Sequence, residues 1–194
     1  MEFIIEIEKI YNTLSKNDFA GFISGDGKIP SDILFVGEAP GKMEVELKKP
    51  FVGLSGKTFE FYLNSIGIKR DEIRITNTCF ARPIRRKISK SGRETISNRP
   101  PKTDEIKAFR NILNEEINMV NPKIIITLGN TPLKRLTGED KIGVCHGKVI
   151  YNEEIEKYIF PMYHPSALTY NHSAKFLEDY RSDWVKLKEY LDKL

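Results

Sequence analysis

The chain has 194 residues, 40% of them hydrophobic and 30% charged, with a formal net charge of +4. That suits one soluble globular domain able to bury a sizeable core, and composition alone selects no function. Two cysteines, Cys79 and Cys145, exclude a four-thiolate metal or iron–sulfur site within one chain and speak against a disulfide framework. With no signal peptide and no apolar run of transmembrane length, the protein is expected in the reducing cytosol, as a monomer without a membrane partner.

Phe3, Ile4, Ile7, Ile10, Tyr11 and Leu14 recur at spacings of three and four, which predicts an amphipathic opening helix. Lys16 to Ser31, with Gly21, Gly25, Gly27 and Pro30, reads as a turn-rich connection. Ile33 to Val36 is an apolar run with the pattern of a fully buried strand. It opens a glycine-rich stretch, Gly37 to Gly56, that leads to a helix over Lys57 to Ile66 stopped by Gly67. A strand-to-helix connection of roughly twenty residues is far longer than the usual two to six, and loops of that length in compact domains are commonly functional. Within it, Pro50-Phe51-Val52-Gly53 sets an aromatic ring beside glycines that allow close backbone approach.

Ile73 to Thr76 predicts a second strand ending at Asn77, either a turn-former or a residue whose carboxamide reads a ligand. Then Arg82, Arg85, Arg86, Lys87, Lys90, Arg93 and Arg99 crowd one segment against the single acid Glu94. Such a segment is either a phosphate-binding surface or a mobile solvated loop. A helix from Thr103 to Val120 carries Ile106, Phe109, Ile112, Leu113 and Ile117 on one face. Pro122 to Leu128 predicts a buried strand, and Gly129 to Pro132 the start of another helix. Gly143 to Gly147 reads as a turn with His146 on the surface. Lys157 to Met162 predicts the last strand, delivering His164-Pro165-Ser166-Ala167-Leu168. A closing helix from Ala174 to Leu194 presents Phe176, Leu177, Tyr180, Trp184, Leu187 and Leu191 to the core.

The alternation of strand and helix predicts an α/β domain with a parallel sheet covered on both faces. In such a sheet Gly37 to Gly56, Asn77, Gly129 and His164 all lie at carboxyl ends of strands and meet at one edge.

Gly37-Glu38-Ala39-Pro40-Gly41, Pro50-Phe51-Val52-Gly53, Asn77, Pro122 to Gly129 and His164-Pro165-Ser166 together resemble the uracil-DNA glycosylase superfamily, most nearly its family 4, from about residue 32 to 185. The resemblance implies a three-layer α/β/α sandwich around a four-stranded, mostly parallel sheet. It implies hydrolysis of the N-glycosidic bond of deoxyuridine in DNA, with the base flipped out of the stack. Gly37 and Ala39 would shape the pocket, Phe51 stack on the base, Asn77 read its edge, and His164 donate to O2 as the leaving base gathers charge. Glu44 would orient the attacking water, or Glu38, which could equally pin the pocket loop through backbone amides. Ser55, Ser166, Leu168 as wedge, and Arg85, Arg86, Lys87, Lys90 and Arg93 as phosphate clamps would meet the DNA.

Of the departures that accompany the resemblance, two bear on the chemistry. Family 4 members usually hold an iron–sulfur cluster on four cysteines, whereas residues 11 to 31 contain none and the other two places fall on Ala81 and Phe109, so the cluster is expected to be absent. The position that carries an Asp in the most active relatives is Ala39 here. A relative that binds DNA bases without turnover is the alternative reading.

Overall fold

The computed structural model describes residues 2–194, with side chains from Phe3 onward. The first half of the chain runs α1 (Glu2–Thr13), β1 (Phe19–Phe22), β2 (Asp26–Gly27), β3 (Ile33–Gly37), α2 (Lys42–Leu47), α3 (Leu54–Ser65), β4 (Arg74–Asn77), β5 (Ala81–Ile88) and β6 (Glu94–Asn98). The second half runs α4 (Thr103–Ala108), α5 (Arg110–Val120), β7 (Ile124–Leu128), α6 (Asn130–Thr137), α7 (Ile142–Cys145), β8 (Ile150–Asn152), β9 (Lys157–Met162) and α8 (Ala174–Leu191). Single 3-10 turns occupy Arg70–Glu72 and Pro165–Thr169. No described helix is long and apolar enough to cross a membrane.

The four apolar runs form the parallel centre of the sheet, in the order β4-β3-β7-β9. The sheet is nonetheless six-stranded, which corrects the four-stranded expectation, because β2 and β8 add antiparallel edges to β4 and β9. These edges are two and three residues long, too short to show a period of two in sequence. A second, three-stranded antiparallel sheet, β1-β5-β6, stands beside the first. It corrects two further expectations. The connection from Lys16 to Ser31 contains β1 and β2, and the basic segment is a β-hairpin rather than a loop.

Alternation along β3 divides the core into two layers. Leu34 and Val36 join Ile125, Ile7 of α1, Ile117 of α5 and Leu136 of α6 on one face. Phe35 joins Ile126, Phe59 and Leu63 of α3, and Trp184 and Leu187 of α8 on the other. Phe35 meets Phe59 edge-on at 5.0 Å between ring centroids, and Tyr62 stacks on Trp184 at 5.8 Å. Ile4, expected on the inner stripe of α1, is exposed.

Several boundaries differ from the sequence reading for local reasons. The expected helix from Thr103 to Val120 is broken at Phe109, whose ring turns into the core against Phe80 at 5.7 Å. The stretch from Gly37 to Gly56 holds α2, and α3 begins at Leu54 rather than Lys57. The closing helix ends at Leu191, and the turn at Gly143 contains α7. His146 is not a free surface residue. Its Nδ1 lies 2.8 Å from Asp183 Oδ2, and its ring packs on Tyr163 at 4.7 Å.

Edge strand β2 is secured by a buried charge network. Arg74 Nε donates to Glu116 Oε1 at 2.8 Å, Thr76 Oγ1 donates to Glu116 Oε2 at 2.6 Å, and Arg74 Nη1 reaches the Gly27 carbonyl at 3.2 Å. Burial pushes the Glu116 carboxyl up, against the charge of Arg74 and the Thr76 hydrogen bond. Glu116→Ala leaves a guanidinium buried without its partner and should lower the free energy of unfolding by about 3–5 kcal/mol. Urea unfolding measures this, and a loss below about 1 kcal/mol would show that the network does not hold this edge.

Candidate active site

In the strand order β4-β3-β7-β9, the chain passes from β3 to β4 on one side and then crosses back over β3 to β7 on the other, so the strand order reverses between β3 and β7. Ligand crevices of α/β sheets form at such a switch point, beyond the carboxyl ends of the strands. A cleft of about 750 Å³ opens there, lined by Glu38, Ala39, Glu44, Phe51, Ser55, Asn77, Gly129, His164, Ser166 and Tyr170 among others.

The loop after β3 is fixed by one carboxylate. Glu44 accepts the Gly41 N–H on Oε2 and the Phe51 N–H on Oε1 at 2.6 Å. Arg70 closes the clamp from the other side, with Nη1 donating to the Phe51 carbonyl at 3.2 Å and Nη2 to the Pro50 carbonyl. Phe51 needs such holding, because its φ of 50° is left-handed, a conformation costing a non-glycine residue about 1–2 kcal/mol. Gly56 lets α3 close on this turn, since a Cβ there would lie 2.1 Å from the Phe51 carbonyl oxygen. Burial pushes the Glu44 carboxyl up, opposed by its bonds to Gly41 and Phe51 and by the Arg70 charge.

Around Phe51 the remaining groups converge. A Cβ on Gly37 would sit 2.5 Å from Asn77 Oδ1 and 2.9 Å from the Phe51 ring, so only glycine fits between them. Asn77 is 4% exposed. Among the described residues its carboxamide has no hydrogen-bond partner, although its atoms are not sealed from the cleft. The His164 ring lies 5.7 Å from the Phe51 ring, and Gly129, at φ 94°, brings the β7 end against the His164 Cβ.

His164 has a defined tautomer. The Ser166 backbone N–H donates to Nδ1 at 3.1 Å, with the Ser166 hydroxyl 2.7 Å from the same atom, so the proton of the neutral ring sits on Nε2. Burial lowers its pKa to about 4. A neutral N–H donor is therefore present at pH 7.

The other residues anticipated from sequence are distributed unevenly. Glu38 lines the cleft with Oε2 accepting the Thr131 hydroxyl at 2.5 Å, and Oε1 has no partner among the described residues. Ala39 and Ser55 line the cleft. Ser166 is engaged with His164, and Leu168 packs half-buried on the core. Arg82 and Arg99 are held within the fold, by Asn98 and Glu105 respectively. Arg85, Arg86, Lys87, Lys90 and Arg93 are exposed along the hairpin, away from the pocket floor. Sequence reasoning missed Arg70, Thr131 and the rim residues Leu54 and Tyr170, 73% and 83% exposed. Tyr170 was within reach of a signal, two positions past Leu168, whereas nothing local marks Arg70.

A glycine-floored pocket with an aromatic wall, an unpaired carboxamide and a neutral imidazole at a sheet's carboxyl edge is the ligand site of an α/β domain. The family model of the uracil DNA glycosylase superfamily matches residues 24–188, and the chain belongs to that superfamily. It is 37% identical over 176 residues to a type-4 uracil-DNA glycosylase of Sulfurisphaera tokodaii, covering 86% of this chain and 73% of that protein. A type-4 uracil-DNA glycosylase of Thermotoga maritima is 29% identical over 175 residues, 88% of this chain and 83% of the relative. The crystal structure of wild-type Pedobacter heparinus SMUG2 superposes with a TM-score of 0.52 at 14% identity over 99% of both chains, a likeness of fold.

The iron–sulfur cluster implied by the type-4 resemblance does not fit the residues present. Ala81 and Phe109 are fully buried in the apolar layer with Phe80 and Leu113. Cys79 is buried too, its thiol pushed up to about 12 chiefly by burial, which opposes the thiolate a metal requires. Among the described residues no group of three or more His, Cys, Asp or Glu is placed to hold a metal ion.

The imidazole generates a pH prediction. Unfolded His164 takes up a proton near 6.5 and folded His164 only near 4, so the unfolded state binds more protons between those values and stability falls as pH drops through the window. Wild type should lose up to about 1.4 kcal/mol per pH unit more than His164→Gln between pH 6.5 and 4. Denaturant titrations at several pH values read the difference in slope, and parallel profiles would contradict it.

Proposed function

We propose that this cleft extrudes and hydrolytically removes a deaminated base from DNA, with uracil the best match. The observation that carries the reading is the Asn77 carboxamide, nearly buried, unpaired, and set beside the Phe51 ring. Open to the cleft and bonded to no other group among the described residues, the amide keeps both its donor and its acceptor available for a base edge. Its Nδ2–H donates to O4 of uracil and its Oδ1 accepts from N3–H. Cytosine presents the reverse polarity on that edge and leaves both groups unmatched.

The rest of the geometry supports a route for bond cleavage. As the C1′–N1 bond breaks, its electron pair passes into the ring and negative charge gathers on O2. The neutral His164 Nε2–H stabilises that charge without transferring its proton. Water adds to C1′ and gives a proton to a carboxylate. We assign that carboxylate to Glu38, because both oxygens of Glu44 already accept backbone amides while Glu38 keeps one free. With Ala39 offering no carboxylate of its own, stabilisation of the leaving base carries most of the rate. Base binding without turnover is the reading that Ala39 favours, and the same measurements decide between the two.

The test is release of base from single-stranded and duplex oligonucleotides containing uracil, hypoxanthine or xanthine, scored as alkali-labile sites. His164→Ala should reduce the rate on the order of a hundred- to a thousandfold while DNA affinity persists. Asn77→Asp should reject uracil by placing an acceptor against O4. Glu38→Gln should slow turnover with little change in stability, whereas Glu44→Gln should destabilise the protein by about 1–3 kcal/mol through loss of the Phe51 clamp. Equal rates for wild type and His164→Ala would sink the leaving-group mechanism, and no release of any base by wild type would leave the binding reading standing.

A further inference from the structure

The β5–β6 hairpin is rooted at the cleft and then leaves the body of the protein. Pro83 and Asn98 at its base line the cleft, and Arg99 is locked to Glu105 by two hydrogen bonds of 2.7 Å. The base is therefore rigid, while every residue from 85 to 98 is exposed.

Strand register decides what each side of this ribbon carries, because directly paired residues share a face. Arg85 pairs with Ser97 and Lys87 with Thr95, so one face presents two cations and two hydroxyls without a carboxylate. Arg86 pairs with Ile96 and Ile88 with Glu94 on the other face. There Glu94 neutralises Arg86 at 3.0 Å, and Ile88 and Ile96 are 76% and 45% exposed. Two isoleucines on a bare ribbon are a liability unless something covers them. A partner seated on this ribbon would therefore meet cations on one face and apolar side chains on the other.

We propose that this hairpin is an arm that grips duplex DNA flanking the extruded nucleotide, with Arg85 and Lys87 on backbone phosphates and Ile88 and Ile96 against sugars and base edges in a groove. Duplex DNA supplies both surfaces, and two-stranded ribbons enter its grooves with apolar side chains against the bases. The four exposed residues of β5 reach about 13 Å, which corresponds to about four base pairs beyond the cleft. The proposal rests on the cleft being a DNA site, but the grip needs no lesion, so it is measurable on undamaged DNA.

The experiment is fluorescence anisotropy with undamaged duplexes of increasing length across a salt series. Removing two phosphate contacts in Arg85→Ala/Lys87→Ala should reduce the slope of log affinity against log salt by about 1.8. Ile88→Ser/Ile96→Ser should weaken binding several-fold with the slope unchanged, and the deficit of both variants should appear only on duplexes long enough to reach the arm. A wild-type slope in the first variant, or wild-type affinity in the second at every length, would overturn the proposal. Unchanged affinity with altered sedimentation in the second variant would overturn it in favour of a second copy covering the isoleucines. Binding is read without turnover, so a wild type that grips DNA in this way but releases no base would refute the glycosylase reading alone.

Discussion

The site depends on holding Phe51 in a left-handed backbone conformation. The N–H of this residue is held by Glu44, its carbonyl by Arg70, and Gly56 removes the side chain that would collide with it. Opposite charges thus bracket one peptide turn, and the ring is directed between Phe59 below and His164 beside it. Without the clamp, relief of about 1–2 kcal/mol of backbone strain would favour a different turn, and the wall of the pocket would be lost. The unusual length of the connection after β3 follows from this. It carries its own carboxylate on α2 to brace its own aromatic residue.

The pocket floor shows a second economy, the removal of side chains where functional groups meet. Gly37 separates Asn77 from Phe51, and Gly129 allows the end of β7 to approach His164. What remains is a carboxamide and an imidazole, neither charged at neutral pH. Under the proposed function, a neutral donor suits a base that becomes anionic only as it departs, because stabilisation then appears in the transition state rather than in the ground state. Ser166 secures this by occupying Nδ1 and directing the proton to Nε2.

The region where the type-4 resemblance implies cluster ligands is held instead by packing. Ala81, Phe80 and Phe109 belong to one apolar layer with α1 and α5, and the break between α4 and α5 lets the Phe109 ring reach it. Arg99 joins the second sheet to α4 through its paired bonds with Glu105, one of which is shared with the helix start, where Glu105 also accepts the Lys102 N–H. Buried apolar area and one buried ion pair thus fix the base of the hairpin beside the cleft.

By itself the sequence determined the four central strands, the helices that cover them, and the meeting of Gly37, Phe51, Asn77 and His164 at one edge. These follow from apolar runs and helical periods, which are local, and from the rule that parallel strands bring their carboxyl ends together. Edge strands of two and three residues carry no such period, and the pairing of β5 with β6 depends on register, so both emerged only in the folded chain. The tertiary structure alone decided the duties of the charged groups. Glu44 and Glu38 look alike in sequence, yet Glu44 binds an amide seven residues away and Glu38 a hydroxyl 93 residues away. Arg82 and Arg99 are no different in composition from Arg85 and Lys87, yet the first two are consumed by partners inside the fold and the others face water. Hydrogen-bond partners are chosen by proximity in space, and proximity between distant segments is what folding creates.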